Sequence, residues 1–504
     1  MLAYSTDEGV TWTNRGVAEV PAINSTCGVA SSNTWLLSSP VTVGSPLAAS
    51  SMKIRLYYYN TTGLTGGNNQ ILNLVVLGRI LQSPNTYYSV SNGNFSDPIW
   101  SPLPSGTVGA TVNFTPEISA VINSGDNVVL TTSDVLVNNL TIDPGANLQA
   151  ASTNFSSMRN VSLYGNLSVS GSIGNGVTFD AIGLNIEGPN VTISGNGAIN
   201  VGRIRKQSNF FDASNLLIQS NVNVRFPGAA VYNNAPNSIF NITLIAGRTL
   251  NVTGSGGTNG NVAMDGPSGN DIDQKGGSLV INGTLNINGD LSISSSNNIN
   301  PYISNLTINP TGVVSVIDID TKVSAVNTVV INSGGRLNVS GVMRHRQGTL
   351  ATNGGVALGV GAILLHGAGT PGISPDPGGL VSGNILVRAQ GTTSPGVYNY
   401  WSSPVLNNSL LSIMQNGLAA GSALNTYKYN AVNASGSTVE GLRDGWVSQS
   451  TSDVMQPAVG FITTSAGAVQ FIGTPNNGNI LVPAIHGTFT DFNLVGNPYP
   501  GPLD

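Results

Sequence analysis

The sequence has little charge. Of its 504 residues, 8% are Asp, Glu, Lys or Arg, where a globular chain usually carries about 25%. The net charge is −5, five residues are lysine, and no Lys or Arg occurs between Arg79 and Arg159. A nucleic-acid binder needs a basic stripe to displace counterions from phosphates. A polybasic membrane-surface protein needs a similar patch. The sequence speaks against both.

Cysteine is scarcer still. Cys27 is alone, so no intrachain disulfide can form, and a lone thiol without a partner motif reads as a small buried hydrophobe. No apolar run approaches the ~18 residues needed to cross a bilayer. The nearest, 356–365, is broken by Gly359 and Gly361 and reads as a pair of buried strands. Heptads of Leu, Ala, Glu and Lys are few, which argues against a helical bundle or coiled coil. G-x-S-x-G, P-loop, H-E-x-x-H and C-x-x-C patterns are absent. The start, Met1-Leu2-Ala3-Tyr4, has neither the basic nor the apolar region of a signal peptide and reads as the inside of a domain.

What is abundant is a turn-and-strand vocabulary: 63 Gly, 61 Asn and many Ser, Thr, Val and Ile. Residues 1–86 alternate as in 52–59 and read as a partial, jelly-roll-like β-sandwich. Residues 87–112, with Pro98, Pro102 and Pro104, read as a linker. Residues 113–385 repeat. Leu140-Thr141-Ile142-Asp143-Pro144-Gly145-Ala146-Asn147-Leu148 is echoed by Leu306-Thr307-Ile308-Asn309-Pro310-Thr311-Gly312-Val313-Val314 and by Val329-Val330-Ile331-Asn332-Ser333-Gly334-Gly335-Arg336-Leu337. The step from Ile308 to Ile331 is 23 residues.

Short alternating strands at that period predict a parallel β-solenoid. One coil cannot bury its inward aliphatic face alone, and stacked coils can. Asn and Gly accept the left-handed backbone of corners, and stacked Asn amides can bond from coil to coil. Like charges stacked at about 4.8 Å would repel, so outward positions favour Ser, Thr and Asn. Segments 203–211 and 259–275 read as loops inserted between coils. A Pro/Gly-rich stretch, 367–383, closes the repeats, and residues 386–504 read as a C-terminal β-sandwich-like module where aromatics return. The fold class is therefore all-β.

Candidate sites are sparse. Asp265, Asp271 and Asp273 gather carboxylates in one loop and are the candidate ligands for a structural calcium; no other cofactor is expected. Tyr398, Tyr400 and Trp401 are the candidate ligand-binding aromatics, with Tyr57-Tyr58-Tyr59 a second such cluster. In an alternating strand half of these point inward. Ser5-Thr6-Asp7-Glu8-Gly9-Val10-Thr11-Trp12 fits an Asp-box hairpin, read as a structural turn. Arg344-His345-Arg346 is the densest basic spot. It reads as a solvated strand edge, and a catalytic use would need carboxylates beside it. His366 and His486 read as isolated, which leaves no histidine metal site. No catalytic residue is assigned.

Tyr400-Trp401-Ser402-Ser403-Pro404-Val405, Gly445-Trp446, Gly460-Phe461 and Gly496-Asn497-Pro498-Tyr499-Pro500 resemble a module of large secreted surface proteins of the Bacteroidota. In that family it lies just before a type IX secretion sorting domain. The repeats, and the 1–86 stretch as the closing half of a jelly roll, look similar to the same proteins. The resemblance implies an extracellular or outer-membrane-attached location, partnership with the secretion machinery and a chain truncated at both ends. The expected function is a non-catalytic, adhesin-like stalk presenting surfaces to polysaccharides or cell-surface glycans. The alternatives are a carbohydrate-active β-helix enzyme and a carbohydrate-binding module.

Overall fold

The computed structural model describes residues 86–502, apart from 132–133, 153, 175–180, 209, 236–237, 255–258, 264–275, 294–302, 368–377, 395–396, 407–425, 451 and 465–466. It also describes the strands Leu2–Ser5, Thr13–Arg15 and Lys53–Leu56. Asp265, Asp271, Asp273, Cys27, Tyr57-Tyr58-Tyr59 and most of the Asp-box lie outside these residues. The chain divides into two units, Met1–Asn85 and Thr86–Asp504. In the first, the three strands pair antiparallel, with Leu2–Ser5 in the middle.

The second unit is a parallel β-solenoid. Each coil contributes one strand to each of three walls, and the walls hold 11, 13 and 10 strands among the described residues. Neighbouring coils pair in parallel register, as in Asn305–Ile308 against Thr328–Ile331. Inward positions form aliphatic ladders. Leu250, Leu285, Val314, Leu337, Val356 and Ile385 follow one another through register in the 13-stranded wall, and each is at most 1% exposed. That is the dry core the alternation predicts.

The Asn/Asp-x-Gly signature closes the corner that follows several strands of the 11-stranded wall. Ala146 N–H donates to Asp143 O at 3.0 Å, and Asp126 N–H donates to Asn123 O at 3.0 Å. Gly145 and Gly125 occupy these turns at φ +77° and +87°, where a Cβ would clash with its own backbone.

Three boundaries differ from expectation. Thr86–Ser89 pairs in parallel with Ser119–Ile122, so the stretch read as a linker over 87–112 belongs to the first coil. There Phe95, Trp100 and Phe114 pack with centroids 4.8–4.9 Å apart and cover the open end of the solenoid. Arg203–Lys206, read as part of an inserted loop, is a wall strand paired on both sides. At the other end, Ile385–Gln390 pairs in parallel with Val356–Leu358 and antiparallel with Ala468–Gly473. The last coil and the C-terminal module therefore share a strand instead of meeting at a break near 385. The module's own sheet is antiparallel, in the order Tyr398–Trp401, Phe461–Thr464, Thr426–Tyr429, Trp446–Ser448. No helix among the described residues is long and apolar enough to cross a membrane.

Candidate functional site

The outward face of the 13-stranded wall carries a row of amides. Asn223 Nδ2 donates to Asn200 Oδ1 at 3.0 Å, Asn251 to Asn223 at 2.9 Å and Asn286 to Asn251 at 2.9 Å; Asn338 Nδ2 donates to Ser315 Oγ at 3.3 Å. These bonds hold each side chain in one rotamer and leave it half-buried. Beside the row runs the wall's corner, with Thr253, Asn288, Ser340 and Gly359. Between the two lies a shallow groove of about 520 Å³ that reaches from Asn223 to Arg388. Seven strands span it, roughly 29 Å at the usual strand spacing.

Arg388 also lines a second groove, of about 690 Å³, between the last coil and the C-terminal module. Its walls include Tyr400, Trp401, Leu494, Val495 and Tyr499. The two grooves therefore meet at one arginine. Among the described residues lining either groove, Arg388 is the only charged side chain.

Strand alternation sorts the three candidate aromatics. Tyr398 and Tyr400 are 48% and 67% exposed and share a face two residues apart. Asn399 between them is buried, exchanging bonds with the Thr392 backbone. Trp401 leans inward: its Nε1–H donates to Thr463 Oγ1 at 2.8 Å, and its ring lies 6.3 Å from that of Phe471. It forms groove wall, whereas Tyr398 and Tyr400 offer free ring faces.

The 10-stranded wall brings together residues far apart in sequence. Register sets Asp290 beside Asp318, and Ser292 beside Asp320. Asp320 in turn neighbours Arg344. Arg346 clamps Asp320, with Nε 2.7 Å from both carboxylate oxygens and Nη2 at 2.5 Å; Arg344 stands 3.9 Å away. The basic tripeptide is therefore no solvated edge. Arg346 is bonded, Arg344 half-exposed, and His345 fully buried. The carboxylates absent from the local sequence arrive from neighbouring coils. Burial first, and then the Asp318 charge, push the Asp290 carboxyl up.

His366 is not isolated either. Arg344 pairs with Leu365, which sets His345 one coil from His366, both inside the solenoid. His345 Nδ1 lies 3.0 Å from Thr321 Oγ1, and its Nε2 3.2 Å from Gly348 O. His366 Nδ1 is buried without a hydrogen bond. Burial lowers both imidazoles, His366 to about 4, with a smaller lowering of His366 from His345. Sequence reasoning also missed Lys206, fully buried with Nζ 3.0 Å from Ser214 Oγ. Burial lowers its pKa, and Glu187 and Asp212 oppose the shift. Among the described residues, no group of three or more His, Cys, Asp or Glu is placed to hold a metal ion.

A family model described as "Domain of unknown function (DUF8693)" matches residues 379–504, the last quarter of the chain. The match begins at the strand pair ahead of Tyr398 and so takes in the strand shared with the solenoid. No curated protein and no solved structure matches the chain.

Proposed function

We propose that the chain is a non-catalytic scaffold that holds an extended glycan in the grooves meeting at Arg388. The observation that carries this reading is the continuity of a trough, uncharged apart from Arg388, edged by amides and floored by aliphatic side chains, with a cleft edged by an exposed tyrosine. Fixed amides suit sugar hydroxyls, since each offers a donor and an acceptor without a charge to desolvate. Tyr400 supplies an apolar ring face for the faces of a sugar ring. A row of weak contacts along roughly 29 Å gains avidity that no single pocket here would supply. An extracellular or cell-surface location, and export by the type IX machinery, belong to this reading through the YWSSPV and GNPYP resemblance. A structural calcium at Asp265, Asp271 and Asp273 belongs to it as a proposal from sequence.

The test is a polysaccharide pull-down with the intact chain, scored for binding and for released reducing-end or unsaturated products. Tyr400→Ala is expected to weaken binding about tenfold. Gly359→Leu is expected to abolish it by filling the trough. A Cβ at Gly359 meets nothing nearer than Val339 O at 3.4 Å, so a side chain can begin there without a clash, and a circular-dichroism spectrum of the variant checks that the fold is kept. Binding that ignores both substitutions would remove the groove from the reading.

A second reading has its own observation. Asp290 and Asp318 are stacked carboxylates, one of them raised, beside Asp320 and Arg344. A carboxyl raised by burial beside a second carboxylate is an arrangement that acid–base cleavage of a glycosidic bond uses. This reading expects product from the wild-type chain and none from Asp290→Asn, with binding retained. Absence of product from the wild type across the same panel would discard it.

A further inference from the structure

We propose that Arg388 reads an anionic group, so that the polysaccharide bound in the joined grooves carries carboxylate or sulfate substituents. This rests on the groove being a glycan site and adds the chemical class of the glycan.

Several wall arginines spend their guanidinium groups within the protein, and the exposed Arg336 lies outside both grooves. Arg346 is clamped on Asp320, Arg205 Nε donates to Asn185 Oδ1, and Arg203 stacks at 4.0 Å over Phe226. Arg388 does none of this. It is exposed, with no side-chain hydrogen bond or ion pair to any described residue. Its backbone pairs antiparallel with Gln470, and the residues just before it, Ile385–Val387, pair in parallel with Val356–Leu358, so the guanidinium is mounted on a strand held in a sheet. Gly359, one residue past the paired Leu358, lines the same groove and contributes no side chain to its floor.

The setting makes the charge selective. Every other described residue lining the grooves is neutral, and the net charge of the chain is −5. The overall field therefore repels a polyanion, and attraction has to come from a local cation. A planar guanidinium with free donors fits a carboxylate or sulfate in a two-pronged contact that a neutral sugar cannot return. The amides of Asn286 and Asn338 would bind hydroxyls along the same chain, and Arg388 would set its register.

The experiment measures binding of the full chain to alginate, to dextran sulfate and to their neutral counterparts, carboxyl-reduced alginate and dextran, across a salt series. The alginate and sulfate arms separate the two anion sources. Wild type is expected to prefer at least one polyanion over its neutral counterpart, with the preference falling as salt rises. Arg388→Gln should weaken that polyanion about tenfold to hundredfold and erase the preference. Arg388→Lys should fall between, keeping charge without the fork. Arg336→Gln, exposed on the same wall outside both grooves, should change nothing. Equal binding of neutral and anionic polymers, or a preference that survives Arg388→Gln, overturns the inference and leaves the groove reading standing. Failure of the wild type to bind any polymer overturns both.

Discussion

Lowering the pH from 7 to about 4 is expected to loosen the joint between the last coil and the C-terminal module by about 3 kcal/mol through His366. The imidazole is 6% exposed, its Nδ1 has no hydrogen bond, and burial holds its pKa near 4. In the unfolded chain it takes up its proton near 6.5. Between those values the unfolded state binds more protons than the folded one, so stability falls as the pH falls. The contribution is intact above about 6.5 and fully lost below about 4. His345, lowered by burial one coil away, acts in the same direction. Asp290 acts the other way. Its raised carboxyl is protonated more readily in the folded chain, so acid relieves a cost there. Urea midpoints followed by tryptophan fluorescence at pH 7 and pH 4.5 would measure the sum. His366→Gln should flatten the wild-type loss while leaving the Asp290 contribution in place. An equal loss in wild type and variant would refute the assignment to His366.

What could be read beforehand and what could not divide along one physical line. Alternation and turn chemistry are local, so the repeat around Ile142, Ile308 and Ile331, the corner glycines and the outward Asn row were all legible as a solenoid. The split of Tyr398 and Tyr400 from their inward neighbours follows from the same period of two. Register across coils is not local. Asp290 meets Asp318, and His345 meets His366, only because intervening coils have particular lengths. Those lengths vary: Leu244 to Ile281 is one step, and Ile308 to Ile331 is another, shorter one. A carboxylate pair or an imidazole pair built this way leaves no motif in the sequence. Arg388 carries no local signal for a related reason. Its surroundings come from the solenoid on one side and from residues 400–404 and 494–502 on the other.

The opposite end of the solenoid is closed by packing, and Trp100→Ala is expected to cost about 3–5 kcal/mol there. Trp100 is fully buried, its ring lies 4.8 Å from Phe95 and 4.9 Å from Phe114, and its Nε1–H donates to Phe95 O at 2.9 Å. Among the described residues no further coil lies beyond this cluster, so the ring stands where a neighbouring coil would otherwise cover the core. In a stacked array each coil is held by its neighbours, and the end coil has one neighbour fewer. Truncating the cap therefore exposes Ile122, Val128 and the rest of the first inward layer, and opening should spread inward coil by coil. Hydrogen exchange of the full chain checks this. Protection is expected to drop steeply over 86–130, less over 140–173, and not at all beyond about residue 250. Trp100→Phe should lose about 1 kcal/mol, keeping most of the packing without the indole bond. Uniform loss of protection along every coil would contradict the picture, because it would mean the solenoid unfolds as one cooperative block and its ends have no separate stability to lose.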